Sequence, residues 1–337
     1  MKKGTFIIAE LSANHKGDLK VALDTVRAAK RTGADAIKIQ TYTPDTLTID
    51  CKNDYFKINH GTAWDGEYLY DLYKRAYTPW EWHEEIFRVA DEEGIICFSS
   101  PFDNTAVDLL EELKAPIYKI ASFEIQDIPL ISYAASKMKP IILSTGIAEI
   151  FDIELAIETC KKVGNKDITI LKCTSAYPAN PSEVNLLTIP DIKSRFNVKV
   201  GLSDHTLGIE GPVVATALGA TVIEKHFILD KSIGGADAHF SLDEKEFTEM
   251  VNAVRIAEQM MGKVDYEMTE KKKKSRQFSR SLFIVEDVKK GELITKNNVR
   301  SIRPGFGIHP KYLDEIIGKE FKFDFEKGTP LTFDLIK

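Results

Sequence analysis

Residues 198–226, VKVGLSDHTLGIEGPVVATALGATVIEKH, hold a strand, a helix and a second strand in succession. Val198–Leu202 and Thr221–His226 are short apolar runs of strand type, and Gly211–Leu218 between them has helical periodicity. The same texture recurs upstream. Strands are expected at Thr5–Glu10, Ala36–Gln40, Ile95–Ser99, Ile117–Ala121, Pro140–Ser144 and Ile168–Cys173, with helices at Leu19–Arg31, Trp80–Glu93, Thr105–Leu113 and Ile153–Lys162. Eight strand–helix units in place of hairpins predict a closed (β/α)8 TIM barrel. A doubly wound open sheet is the alternative, but no G-x-G-x-x-G follows the first strand, and Gly305-Phe-Gly307 comes too late to supply one.

A chain of 337 residues accommodates such a barrel with a small appendage. The net charge of −6 argues against a nucleic-acid or anionic-membrane surface, so any bound anion needs locally placed cations. Cys51, Cys97, Cys160 and Cys173 show no CxxC spacing, and Met1-Lys2-Lys3 runs into an apolar strand without a signal-peptide core. Reduced thiols and a cytoplasmic location are the expectation.

The alternation breaks twice. Thr41 to Thr78 is far longer than an ordinary strand-to-helix loop and carries Tyr55, Phe56, His60, Trp64, Tyr68, Tyr70, Tyr73 and Tyr77. Such an excursion either covers a site or buries a satellite core of its own. The second break is the Lys271–Lys274 run, which reads as a solvated linker. Beyond it, Asp287-Val-Lys-Lys-Gly-Glu-Leu-Ile-Thr295 resembles Asp324-Phe-Glu-Lys-Gly-Thr-Pro-Leu-Thr332, an internal repeat with Gly291 and Gly328 at matching turns. The expected organisation is a barrel over 1–265, a linker over 266–280 and a small β domain over 281–337.

Barrel enzymes work at the C-terminal ends of their strands, and the unusual residues fall there. Glu10 ends the first strand, Lys38 and Gln40 share one face of the second, and Lys119 lies on the fourth ahead of Ser122 and Glu124. Ile37 and Ile39, and likewise Tyr118 and Ile120, supply outward apolar neighbours, which turns both lysines into the lumen. Unpaired lysines there are costly, so a bound polyanion is their expected partner, with Ser122, Ser144-Thr145-Gly146 and Ser203 as directional donors. The last two strands end in Gly201-Leu-Ser-Asp-His205 and Glu224-Lys-His226, bringing two imidazoles to one rim. A histidine pair suits a divalent metal whose remaining positions go to water and substrate, not a closed four-ligand zinc site. Asp204 and Glu224 are candidates to orient the imidazoles, and His239, in a Gly-rich loop, suits the surface better than a third ligand position.

Ile8-Ala-Glu10 with Asn14-His15, Lys38-Ile-Gln40, Ser100-Pro-Phe102, Tyr118-Lys-Ile-Ala-Ser122, Ser144-Thr-Gly146, Ser203-Asp-His-Thr206 and Glu224-Lys-His226, in this order, resemble the sialic acid synthase family. The tail, with Arg303 in Ile302-Arg-Pro-Gly305, is similar to that family's antifreeze-like (SAF) domain. The resemblance implies that Lys38, Lys119, Ser122, Ser144 and Ser203 bind phosphoenolpyruvate. It implies that His205 and His226 hold Mn²⁺, Mg²⁺ or Co²⁺, and that Arg303 contacts the N-acyl group of an amino sugar. Glu10, Gln40, Glu124, Tyr177 and Asp237 match polar site positions. It also implies a domain-swapped homodimer, in keeping with a tail too small for a secure core of its own. Within the family, Gln40-Thr-Tyr-Thr-Pro-Asp-Thr46 and Cys173-Thr-Ser-Ala-Tyr177-Pro-Ala look most like the branch that makes pseudaminic acid, with Ser175 where neuraminate enzymes usually have asparagine.

The implied reaction joins phosphoenolpyruvate to 2,4-diacetamido-2,4,6-trideoxy-L-altrose, with phosphate lost by C–O cleavage; the neuraminate or legionaminate reaction is the alternative. Glu10 or Glu124 would handle the attacking water, and Asp237 the new hydroxyl's proton or the sugar. Two other classes stay open. A Schiff-base aldolase would use Lys119 as nucleophile, and a non-catalytic binding protein would be built around the β tail.

Overall fold

The computed structural model describes residues 4–59, 61 and 64–337. Met1-Lys2-Lys3 and His60 lie outside the described residues. The chain divides into two compact units, one ending at Gly262 and one running Lys263–Lys337.

In the first unit eight parallel strands close in sequence order: β1 Phe6–Glu10, β2 Ala36–Thr41, β3 Ile96–Pro101, β4 Tyr118–Ile120, β5 Ile141–Ser144, β6 Ile168–Cys173, β7 Lys199–Asp204 and β8 Val222–His226. Closure is made by β1 on β8, with Glu10 opposite His226. All eight expected strands are present, shifted by no more than a few residues. The crossover helices follow local signals. Leu19–Arg31 starts at Asp18, whose carboxylate accepts from the Lys20 and Val21 amides, and ends on Lys30 and Arg31, complementing the helix dipole. Its buried stripe of Ala22, Thr25, Val26 and Ala29 packs on the barrel wall.

The interior is layered by strand alternation. Ile8, Ala36, Phe98, Ile142, Leu171 and Val222 form a buried apolar plug. Two residues further along the same strands stand Glu10, Lys38, Ser100, Ser144, Cys173 and Glu224, all buried. Side chains two apart share a face, so the plug is roofed by a polar layer at the C-terminal end of the barrel. The outward neighbours Ile37 and Ile39, and Tyr118 and Ile120, sit in the clusters beneath the helices, so both lysines face inward as expected.

The excursion after β2 is ordered by short helices, Pro44–Leu47 and Leu69–Ala76. Buried hydrogen bonds pin both of its stems. Thr41 Oγ1 lies 2.8 Å from His83 Nε2, and Thr78 Oγ1 lies 3.4 Å from His15 Nε2. Burial pushes both imidazoles down to about 4, which keeps them neutral. Leu72 and Ile58 are buried, so the excursion does have a satellite core.

Early in the second unit, where the sequence suggested a solvated linker, lies an exposed helix, Glu270–Arg276; its lysines follow the Thr269 cap, which accepts from the Lys272 amide. Two antiparallel strands, β9 Ser281–Ile284 and β10 Val299–Ile302, enclose a core with Phe321, Leu331 and Ile336. The two repeat halves cap each other. The Asp287 carboxylate accepts from the Lys327 amide at 2.8 Å, and the Asp324 carboxylate from the Lys290 amide at 2.8 Å. Val288 and Phe325 exchange a pair of backbone bonds, and Gly291 and Gly328 take positive φ at equivalent turns. Arg303 follows β10 and is exposed.

Candidate active site

The polar layer is an ion network. Lys38 Nζ lies 2.6 Å from Glu10 Oε2 and 3.6 Å from Glu224 Oε1, and Lys119 Nζ lies 3.6 Å from the same Glu224 oxygen. Lys119 donates to Ser144 Oγ at 2.7 Å, Lys38 to Ser100 Oγ at 3.2 Å, and Ser203 Oγ to Glu224 at 3.3 Å. Burial opposes the charge of every member. In Glu224 the two lysines outweigh it and hold the carboxylate ionised. In Glu10 burial wins over Lys38 and lifts the carboxyl to about 7. Lys38 is held above its usual range against burial by Glu10 and Glu224, whereas burial and then Lys38 pull Lys119 down.

This corrects two assignments. Glu224 was expected to orient an imidazole, yet it is the shared counter-ion of the lysines. Asp204 does not face the imidazoles either; its carboxylate pairs with Lys225 and accepts from the Thr206 amide and hydroxyl. Both members of that pair are buried outside the lumenal face. Asp237 takes the place beside an imidazole, with Oδ2 3.7 Å from His226 Nδ1.

The ring centroids of His205 and His226 stand 5.3 Å apart. His205 Nδ1 lies 3.0 Å from the Thr174 carbonyl, which can only accept, so Nδ1 carries a proton; burial opposes the imidazolium, but Cys173 and that carbonyl hold the ring above its usual range. Burial, reinforced by His205, drives His226 well below the usual range, leaving a neutral ring whose buried Nδ1 has no hydrogen-bond partner among the described residues. Two imidazoles beside a carboxylate suit a divalent ion, which binds imidazole in its deprotonated form. Among the described residues no group of three or more histidine, cysteine or carboxylate side chains is arranged to hold an ion. His239 is exposed, 3.3 Å from the Tyr177 carbonyl, and stands apart from the pair.

Above this layer opens a cavity of about 460 Å³. Gln40, Ser122, Glu124, Tyr177, His226 and Asp237 line it, so six of the residues singled out in the sequence meet at one cavity. Burial raises Glu124 to about 7 against the pull of Lys119, and its Oε2 is buried with no hydrogen-bond partner among the described residues. Gly146 is fixed by close approach, since a Cβ there would stand 2.0 Å from Ser175 Oγ and 2.5 Å from Ser122 Oγ.

Several lining residues were missed or left unassigned. Tyr42, Tyr73, Trp64 and Phe102 line the cavity, and Tyr177 packs against His205 with centroids 4.5 Å apart. The aromatic content of the excursion was the available signal, but without periodicity it named no single residue.

The NeuB family model matches residues 25–266, most of the barrel. The chain belongs to the NeuB family. The SAF domain model matches 279–337 of this NeuB-family chain. Among curated relatives, a pseudaminic acid synthase of Campylobacter jejuni is 51% identical over 98% of this chain and 96% of its own. A pseudaminic acid synthase of Helicobacter pylori is 48% identical over 98% of this chain and 97% of its own. Among solved structures, the N-acetylneuraminic acid synthetase of Leptospira borgpetersenii matches with a TM-score of 0.73 at 32% identity, covering 81% of this chain and 90% of that one. Cys51, Cys97, Cys160 and Cys173 are free, and no helix among the described residues is long and apolar enough to cross a membrane.

Proposed function

We propose that this chain is a pseudaminic acid synthase, condensing phosphoenolpyruvate with 2,4-diacetamido-2,4,6-trideoxy-L-altrose and releasing phosphate. The reading is carried by the buried Lys38 and Lys119 pair and the adjacent His205 and His226 imidazoles at the C-terminal end of one barrel. The near-full-length identity to pseudaminic acid synthases supports the choice of sugar over the neuraminate and legionaminate alternatives.

Lys38 and Lys119, with the hydroxyls of Ser122, Ser144 and Ser203, hold the phosphate and carboxylate of phosphoenolpyruvate. Two lysines face two carboxylates before the anion arrives, Lys38 with Glu10 and both lysines with Glu224. Gln40, Tyr177 and Asp237 position the sugar. When bound by His205 and His226, a divalent ion (Mn²⁺, Mg²⁺ or Co²⁺) supplies Lewis-acid polarisation of the open-chain aldehyde.

C3 of phosphoenolpyruvate then bonds to the aldehyde carbon, whose oxygen becomes a hydroxyl with a proton managed by Asp237. Water adds to the electron-poor C2 and gives its proton to Glu10 or Glu124, both poised near 7. The hemiketal phosphate collapses by C–O cleavage to the 2-oxo acid. We place the reaction in the cytoplasm and in a domain-swapped homodimer in which Arg303 of one subunit completes the other's barrel mouth.

Phosphate release with phosphoenolpyruvate plus each candidate sugar tests the substrate, and bridging ¹⁸O tests the bond. Label in phosphate is expected. Label kept in the sugar acid rejects C–O cleavage, and a borohydride-trapped adduct on Lys119 rejects the whole scheme in favour of an aldolase.

A further inference from the structure

The cavity lining mixes polar and apolar groups. The excursion after β2 contributes Leu47, Leu69 and Leu72 beside Tyr55, Lys57 and Tyr73, and Tyr42 and Phe102 extend the apolar surface from the ends of β2 and β3. Tyr42 joins the pieces. Its ring meets Phe102 edge-on at 5.2 Å between centroids and Tyr73 at 5.8 Å, and it is only 3% exposed. The stems of the excursion are held by the neutral His15 and His83, so this surface is anchored to the barrel.

An open-chain sugar has its reacting aldehyde at C1 and its tail at C6. With C1 directed to the His226 and Asp237 side, the tail runs toward the excursion. An ordinary hexosamine would bring a hydrated CH₂OH group there, and burying that hydroxyl against leucine and aromatic carbon without a partner is unfavourable. A 6-deoxy sugar brings a methyl group, whose burial is favourable.

We propose that Leu47, Leu69, Leu72, Tyr42 and Phe102 form a specificity wall that receives the C6 methyl, selecting 6-deoxy sugars over their 6-hydroxy counterparts. The inference rests on the function proposed above and assigns its discrimination to named residues.

The test is the ratio of kcat/KM for a 6-deoxy sugar to that for its 6-hydroxy analogue, in wild type, Leu47→Asn and Leu69→Asn. An apolar pocket distinguishes a methyl from a hydroxyl-bearing group by roughly 10- to 100-fold. Wild type should show a ratio in that range. Each variant should lower it about tenfold, chiefly by raising KM for the deoxy sugar. Leu47→Thr and Leu69→Thr replace the asparagine variants if circular dichroism shows these unfolded.

A wild-type ratio near one, or folded variants with the wild-type ratio, overturns the wall. The underlying reading fails separately. Turnover of the 2,4-diacetamido-2,4,6-trideoxy manno isomer but not the altro sugar rejects the proposed substrate yet leaves the ratio measurable on the manno pair. A preference for N-acetylmannosamine, which carries a 6-hydroxyl, rejects both.

Discussion

Replacing Lys225 by Met should destabilise the barrel severely although Lys225 lies outside the cavity. Lys225 is fully buried, its ammonium is paired with the Asp204 carboxylate, and it also donates to the Thr206 carbonyl at 2.6 Å. Asp204 and Lys225 are register partners across β7 and β8, and each precedes one of the two site histidines. Methionine would fill the stem's volume but leave a buried carboxylate and a carbonyl without their donor. Removing one partner of a buried pair costs about 3–5 kcal/mol. In a unit of this size each kcal/mol shifts Tm by roughly 2–4 °C, so a loss of about 6–20 °C is expected. Asp204→Asn added to Lys225→Met removes the stranded charge while keeping an acceptor for Thr206, and should restore more than half of the loss. Equilibrium urea unfolding of wild type, both single variants and the double variant gives the coupling, expected above about 2 kcal/mol. A single-variant loss below about 1 kcal/mol, or additive singles, would refute the reasoning.

His205→Ala or His226→Ala should abolish product formation with the fold retained, and a chelator should inactivate wild type until Mn²⁺, Mg²⁺ or Co²⁺ is restored; full activity after rigorous chelation contradicts this. Glu124 keeps its proton to about 7 when folded but releases it near 4.5 when unfolded, so stability should fall as pH rises through that window. Glu124→Gln should flatten this slope and raise the urea midpoint at pH 8, and an unchanged slope counts against a buried acid. Mixing inactive His205→Ala and Arg303→Ala subunits should recover roughly a quarter of wild-type activity if two-fold-related chains share the site. No recovery, with mixed dimers demonstrated, rules the sharing out.

The barrel was legible because its strands and helices differ in period, and the inward lysines were legible because Ile37, Ile39, Tyr118 and Ile120 fix the opposite face. What a lysine pairs with was not. Glu224 lies far along the chain from Lys38 and meets it only through barrel closure, so its role was misread as histidine support. Asp204 and Lys225 point away from the lumen, and strand alternation cannot say that two outward charges will be buried together. The mutual capping of the tail was foreshadowed by matching Asp and Gly positions, since equal sequences form equal turns. The excursion obeyed neither strand nor helix period, and its cavity-facing residues emerged only once its stems were tied to β2 and β3.

The shared counter-ion of the two lysines also bears on biosynthesis. A ribosome delivers Lys38 on β2 and Lys119 on β4 long before Glu224 on β8, the strand that also seals the barrel against β1. Until β8 emerges, a nascent half-barrel that buried its lysines would lack the carboxylate they share, so early compaction is penalised. The growing chain is thereby kept from settling into a closed partial sheet, and the long-range β1–β8 junction and the neutralisation of the lumen become a single late event.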